Sequence, residues 1–374
     1  MSEAFSTDIL IVGAGIAGVG LAAALGRERD VILLEQEERP GHHASGRSAA
    51  IFVQNYGNAV IRTLSRASLP LFVEADSALF PTPLLSPRGI LFVTNENGLD
   101  AYADLLGSAE GLEKMDPYDA TAMVPLLKRE WIAAAAYEPD AMDIDVAALH
   151  QGWLKGAKRS GARLLTSAGL MGGTFSQGRW TVETTAGRVT ASILVNAAGA
   201  WADHVAQACR VAPLGLQPFR RSMAVLPAPE AFDVSRWPLV DEAADNWYFK
   251  PETGRLLVSP ADEDPVEPHD AFADDMVLAE GLHRYEQAVT VPVTRVEGSW
   301  AGLRTFAPDR TPVVGFDPQA ENFFWLAGQG GYGMQTAPAL SALAARVIEG
   351  APFGELSATA AAMAPDRLRA GGTR

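Results

Sequence analysis

Uninterrupted apolar runs punctuate this chain, and the first, Ile9-Leu-Ile-Val12, ends at Gly13. A short run of this kind closed by glycine predicts a parallel strand buried on both faces. The stretch from Thr7 to Leu21 then reads as that strand turning sharply into a helix, and Val31-Ile-Leu-Leu34 as a second strand ending in Glu35. Together they predict a βαβ unit over Thr7 to Glu35. Ile90 to Thr94 predicts a strand, while Ala101 to Leu106 and Thr121 to Leu127 predict short helical pieces. Val146, Leu149, Trp153, Leu154 and Ala157 recur at helical spacing behind the capping Asp143-Ile-Asp145. Leu164 to Thr166 predicts a strand, and Trp180 to Thr184 with Arg188 to Thr190 flank Ala186-Gly187 as a hairpin. Ile193 to Ala200 predicts another buried strand, ending in small residues and returning to the first sheet. Residues 211 to 300 alternate more and hold more proline, with a hairpin of Trp247 to Lys250 and Arg255 to Ser259 around Glu252-Thr-Gly254. Phe323 to Ala327 predicts one more buried strand, leading through Gly328-Gln-Gly-Gly-Tyr-Gly333 into an alanine-rich helix from Thr336 to Ile348. The tail from Met363 is expected to be mobile.

Glycine spacing adds chemistry to the first unit. Gly13, Gly15 and Gly18 stand in G-x-G-x-x-G order between strand and helix. The first permits a tight turn, the second lets backbone approach a pyrophosphate, and the third allows close helix–strand packing. The helix N-terminus offers N–H groups and partial positive charge to phosphates. Glu35 can accept hydrogen bonds from a ribose diol. Strand, glycines, helix, second strand and terminal acid, in that order, predict a dinucleotide site. The same run from Ile9 to Gly26 lacks charge, but Glu3 and Asp8 precede it and no basic segment does, which argues against a signal sequence or membrane span.

Composition narrows the partners. With 374 residues, the chain is expected to form two domains. Its 48% apolar and 20% charged residues are ordinary for a globular enzyme. A net charge of −15 argues against nucleic acid or an anionic membrane surface as partner. Cys209 is the one cysteine, so no internal disulfide forms, and no Cys/His spacing suggests a structural metal. No transmembrane segment is expected. The expected location is cytoplasmic, or peripheral at the inner face of the membrane.

Several segments occur together. His43-Ala-Ser-Gly-Arg-Ser-Ala-Ala50, Leu84-Leu-Ser-Pro-Arg88, Val195-Asn-Ala-Ala-Gly-Ala-Trp201, Leu214 to Ser222, Trp300-Ala-Gly-Leu-Arg304 and Gly328 to Gln335 accompany the first motif. In this the chain resembles the amine-oxidising FAD flavoproteins that include D-amino acid oxidase, glycine oxidase and sarcosine oxidase, and within them looks most like bacterial D-arginine dehydrogenase. The resemblance covers nearly the whole chain. It implies an α/β fold, α+β overall: a Rossmann-like FAD-binding domain (1–57, 143–210 and 301–374) interleaved with a substrate domain on a mixed or antiparallel sheet (58–142 and 211–300). It implies noncovalent FAD, since Cys209 is poorly placed for attachment. The implied cofactor residues are Gly13, Gly15, Ile16, Ala17, Gly18, Glu35, Gln36, Ser45, Arg47, Ser48, Ala49, Ala50, Leu170, Ala198, Gly199, Trp201, Gly302, Arg304, Gly330, Gly331, Tyr332, Gly333, Met334 and Gln335. His42 and His43 fall in the flavin loop and are expected to be structural.

For the substrate, the resemblance implies Arg221 and Arg304 as the carboxylate clamp, Tyr56 on a mobile loop above it, and Tyr248 as a wall that helps place the amine. These are the expected catalytic residues. Ile90, Leu239, Asp241, Gly331 and Gln335 complete the expected substrate contacts. A guanidinium fork matches a carboxylate bidentately. Departures matter too. D-arginine dehydrogenase has a glutamate where Ile90 stands, and Ile51 and Val53 replace a histidine and a threonine. The pocket is therefore expected to be more apolar and to take a neutral, hydrophobic D-amino acid. Asp241 either points inward, to receive a polar or basic group, or is an exposed loop acid beside Glu242, and the second reading is favoured. The expected reaction is oxidative deamination, with hydride leaving Cα for flavin N5, giving an imino acid and then a 2-oxo acid and ammonia. Oxygen or a quinone would be the acceptor. Rival readings are oxidation of a secondary or cyclic amine, such as an N-methyl amino acid or a D-proline derivative, oxidation of a 2-hydroxy acid, and an FAD-binding electron-transfer subunit.

Overall fold

In the computed structural model, which describes residues 4–369, two large sheets and a small one meet around a single cavity. The first sheet runs Leu170–Ser176, Arg179–Thr184, Gly187–Asn196, Ala4–Val12, Val31–Leu34 and Arg163–Leu165 in spatial order. Phe323–Ala327 also pairs with Gly187–Asn196, and Val313–Phe316 pairs with it in turn. Parallel register sets Val12 opposite both Asn196 and Leu34, and Asn196 opposite Trp325. The carboxyl ends of four strands thus finish side by side, the place where open α/β sheets bind ligands.

Both faces of this sheet are covered, which explains the unbroken apolar runs. Ile9, Ile11 and Leu33 pack with Val19 and Leu21 of the Ile16–Ala24 helix and Leu340 and Leu343 of the Gly333–Glu349 helix. Leu10, Val12, Ile32 and Leu34 face the other way, against Trp180, Trp325 and Val205.

The second sheet runs Asp264–Pro265, Gln217–Pro227, Arg255–Ser259, Tyr248–Glu252, Leu239–Glu242, Ile90–Thr94, Ala134–Glu138 and Glu113–Met115. Gly298–Phe306 pairs along Gln217–Pro227 on its other flank. The expected domain boundary at 301 falls inside that strand. Alternate residues separate the faces. Leu91, Val93, Val240 and Phe249 pack on Leu278, Leu282 and Tyr285 of the Asp275–Ala288 helix. Ile90, Phe92 and Leu239 face the cavity instead.

Some expected elements differ. Arg188 to Thr190 and Ile193 to Ala200 are one continuous strand, Gly187–Asn196, because both halves pair with Ala4–Val12. The helix placed at Thr121 to Leu127 begins earlier, as Pro117–Met123 behind an Asp116 cap, and Val124 leaves it. The Ala59–Val73 helix, capped by Asn58, was not among the expected elements; it buries Ile61, Leu64, Ser65, Ser68 and Phe72 at helical spacing. Among the described residues, no helix is long and apolar enough to cross a membrane.

The tail is the largest departure. Met363 is fully buried against the first sheet, and a short helix, Asp366–Arg369, follows. Arg369 donates to Asp317 Oδ2 at 2.5 Å, and Trp325 Nε1 donates to the same oxygen at 2.9 Å. Arg367 pairs with Asp309 at 2.8 Å. The expectation of mobility fails for residues 363–369; residues 370–374 lie outside the described chain.

Burial alone would raise the Asp317 carboxyl, but the Arg369 and Trp325 hydrogen bonds outweigh it and hold the group below its ordinary value. A depressed carboxylate contributes stability at neutral pH that is lost as pH falls through its folded-state value. Asp317→Asn is expected to lower stability by about 3 kcal/mol, because it leaves Arg369 unpaired. Thermal melts of both proteins should show that gap at neutral pH and its closure as the pH enters the acid range.

Candidate active site and cofactor cavity

Above the strand ends lies a cavity of about 720 Å³, roofed by the second sheet. At one end Gly13 adopts φ +104°, and a Cβ there would stand 2.4 Å from the Ala197 carbonyl oxygen. The turn and the neighbouring strand end can approach this closely only with glycine. Glu35 is buried at the wall, its carboxylate accepting from Ala14 N at 3.1 Å and Glu37 N at 3.0 Å. Ser45 Oγ accepts from Ile16 N at 2.9 Å. No acid stands in the first turn of the Ile16–Ala24 helix, and its N-cap Gly15 makes no side-chain bond. Apart from Ile16 N, which Ser45 engages, its positive end is left for an anion. His150 Nε2 donates to the Ala14 carbonyl at 2.9 Å and so braces the turn, a residue that gave no signal in the sequence.

The expected cofactor residues line this cavity with the exception of Gly18 and Tyr332. A Cβ on Gly18 would lie 1.9 Å from the Gly13 carbonyl oxygen, so its part is helix–strand packing. Tyr332 packs edge-on against Tyr56 at 4.8 Å and supports that ring from behind. Arg47 reaches out of the loop to the Ala271 and Ala301 carbonyls and to Asp270, tying the loop to the second sheet. His43 is held by Glu37 at 2.9 Å and lies against Trp201. His42, His43 and Asp270 bring possible metal-ligating atoms within 4.8 Å of one another, but Asp270 is already engaged by Arg47. Cys209 lies in the core beneath Gly173 and lines no part of the cavity; burial pushes its thiol up to about 12.

At the other end two guanidinium groups converge. Arg221 is 7% exposed and its buried Nε has no hydrogen-bond partner among the described residues. Its nearest acid is the largely exposed Asp245, at 3.6 Å. Arg304 donates to the Tyr56 hydroxyl at a long 3.4 Å. It lies against Gly331, where a Cβ would stand 3.1 Å from its guanidinium carbon. The neighbouring Arg220 is differently placed: it pairs with Asp262 at 3.3 Å and Asp264 at 2.7 Å and has a structural role. Asp309 is taken by Arg367 rather than by either cavity arginine.

Tyr248 faces Arg221, whose guanidinium carbon is 5.9 Å from the ring centre. Ile90 and Leu239 form an apolar wall with Val53 and Phe92. Asp241 requires a correction. It is no exposed loop acid: it stands on the Leu239–Glu242 strand, lines the cavity, and its buried Oδ1 lacks a partner among the described residues. Burial holds this carboxyl well above the usual carboxylate range; Asp245 adds to the effect and Arg221 opposes it. Gln335 lines the cavity too, but its Oε1 accepts from Val53 N at 3.0 Å and its Nε2 donates to Ser65 at 2.9 Å. Its amide therefore positions the wall. Phe92, Met223, Asp245 and Trp300 also line the cavity without having been singled out in the sequence.

The glycine turn, the helix end without an acidic cap and the cavity fit an FAD molecule. Gly13→Val is expected to yield protein that purifies without yellow colour, because the new side chain meets Ala197 and must adopt a left-handed backbone. Retention of flavin absorbance at the wild-type ratio would contradict this.

Comparison with known proteins agrees with the geometry. A glycine oxidase of Geobacillus kaustophilus is 24% identical over 366 residues, covering 91% of this chain and 93% of its own. Human mitochondrial dimethylglycine dehydrogenase is 24% identical over 358 residues, covering 87% of this chain but only 40% of its own. Among solved structures, L-proline dehydrogenase from P. horikoshii superposes with a TM-score of 0.83 at 20% identity over the full length of both chains. Residues 8–347 match the family described as DAO, FAD dependent oxidoreductase, and to that family the chain belongs.

Proposed function

We propose that this protein oxidises the Cα–N bond of a D-amino acid, releasing an imino acid that water converts to a 2-oxo acid and ammonia. One observation carries the reading: Arg221 and Arg304 face the same cavity, and among the described residues neither forms a salt bridge with a buried carboxylate, Arg221 having only the exposed Asp245 at 3.6 Å. Cations withdrawn from water in this way are costly unless a ligand supplies the anion. A substrate carboxylate does so, and the guanidinium forks fix its orientation. When bound, FAD supplies the two-electron acceptor.

Around that clamp the side chains have separable tasks. The Tyr56 hydroxyl, beside Arg304, adds a hydrogen bond at the carboxylate and its ring closes the mouth. Gly331 lets Arg304 lie flat against backbone and leaves its carbonyl for the amine. Tyr248 limits the depth available beside Arg221. The apolar residues Val53, Ile90, Phe92 and Leu239 exclude water from the reacting carbon. Their arrangement supports a neutral side chain, with Asp241 the one polar interruption. Positioning of this kind supplies much of the acceleration. The solved structure named for L-proline favours a second reading, a secondary or cyclic amine held by the same clamp.

Anaerobic bleaching of the flavin by D-leucine, D-proline and sarcosine, compared side by side with L-amino acids and hydroxy acids, separates these readings. Bleaching by none of them would favour an electron-transfer subunit. Arg221→Ala and Arg304→Ala are each expected to raise KM by about 100-fold or more, the scale of a lost buried charge pair. Arg220→Ala should behave in the opposite way, lowering Tm through its lost acid partners while sparing substrate affinity. Unchanged KM in both cavity variants would sink the clamp.

A further inference from the structure

Asp241 lines the cavity, and its buried Oδ1 has no hydrogen-bond partner among the described residues. Its cross-strand neighbours are Tyr248 on one side and Phe92 on the other. Paired residues share a face, so these three side chains form one row across the cavity roof. Arg221 lies farther along the same sheet. Its strand, Gln217–Pro227, is separated from the Asp241 strand by Arg255–Ser259 and Tyr248–Glu252. At about 4.8 Å per strand the two backbones are roughly 14 Å apart. The Arg221 side chain leans back across that gap to within 5.9 Å of the Tyr248 ring centre. A molecule whose carboxylate sits on Arg221 therefore needs to pass only one aromatic ring to meet Asp241.

The surroundings narrow what it meets. Glu242, the adjacent acid, is already engaged, accepting from Thr94 Oγ1 at 3.1 Å and Asn246 Nδ2 at 2.8 Å. Asp245 is turned toward Arg221 at the mouth. Beyond Asp241 the next strand presents the apolar Ile90 and Phe92; the strand after it sets the buried Glu138 opposite Ile90, but Glu138 does not line the cavity. The α-amine is bonded to the carbon that bears the carboxylate and stays on the clamp side of Tyr248. Asp241 is thus set to receive the substrate's side chain, and only a short one.

Resting on the amino acid reading above, we infer that Asp241 selects substrates whose side chain ends in a hydrogen-bond donor, an amine, amide or hydroxyl, on the β or γ carbon. The unpartnered Oδ1 accepts that donor. An analogue with a methyl in the same place leaves the acid buried and unsatisfied, a mismatch that sites built for hydrogen bonding reject strongly.

Pairs of substrates that differ only in donor against methyl test this: D-serine with D-2-aminobutyrate, and D-homoserine or D-2,4-diaminobutyrate with D-norvaline. The readout is the rate of anaerobic flavin reduction divided by the dissociation constant, measured on the FAD-loaded protein. The donor member of each pair is expected to be favoured by at least about tenfold. Asp241→Val should abolish or reverse that preference. Asp241→Asn, which keeps the shape and one acceptor, should retain the preference for hydroxyl and lose it for amine; it decides the matter should the valine variant fail to hold flavin. Equal rates within each pair in the wild-type protein would overturn the inference. So would an equal loss on every substrate in the variants, which would place Asp241 at the α-amine common to all of them. Reduction by no amino acid at all would overturn the functional reading itself, and this inference with it.

Discussion

Everything in this molecule depends on strand ends being free of bulk. Ala4–Val12, Gly187–Asn196, Val31–Leu34 and Phe323–Ala327 stop at nearly the same level, and backbone leaves the first, second and fourth through glycine or alanine, while the third runs into Glu35 at the wall. Gly13 passes so near Ala197 that the two segments share one layer of space. Larger side chains at these exits would fill the volume that the second sheet encloses. The fold spends its packing beneath the strand ends, in two apolar layers, and leaves the region above them hollow.

Into that hollow the second sheet delivers charge by parity alone. Arg220 and Arg221 are consecutive on one strand and so project to opposite faces. Arg220 meets Asp262 and Asp264 and is neutralised, while Arg221 meets the cavity and has only the exposed Asp245, at 3.6 Å. Asp241 and Glu242 repeat the pattern on another strand: Glu242 is spent on Thr94 and on the turn that follows, and Asp241 keeps an open acceptor. Adjacent residues of like charge thus acquire opposite roles, one in the framework and one in the site.

The same parity explains what could be read in advance. The glycine turn, the apolar runs and the acid at Glu35 are local patterns, legible because each is complete within a few residues. The pair of cavity arginines, Arg221 and Arg304, was legible through resemblance to known flavoproteins. The inward direction of Asp241 was not, since a shift of one residue in strand register would turn it away. Neither was the bracing by His150 and Gln335, which depends on partners far along the chain. The tail was misjudged for a related reason: Arg367 and Arg369 look like solvated charges until Asp309 and Asp317 stand opposite them.

The interleaving of the chain bears on its synthesis. One wall of the cavity begins at Val12, and another is completed by Met334 and Gln335 in the Gly333–Glu349 helix. That helix also packs on the one that starts at Ile16. A nascent chain still lacking it has the glycine turn but not the enclosure around it. Secure capture of the flavin therefore waits until that helix has left the ribosome and covers the sheet. Until then the growing chain exposes an unfinished apolar face of Ile9, Ile11 and Val19.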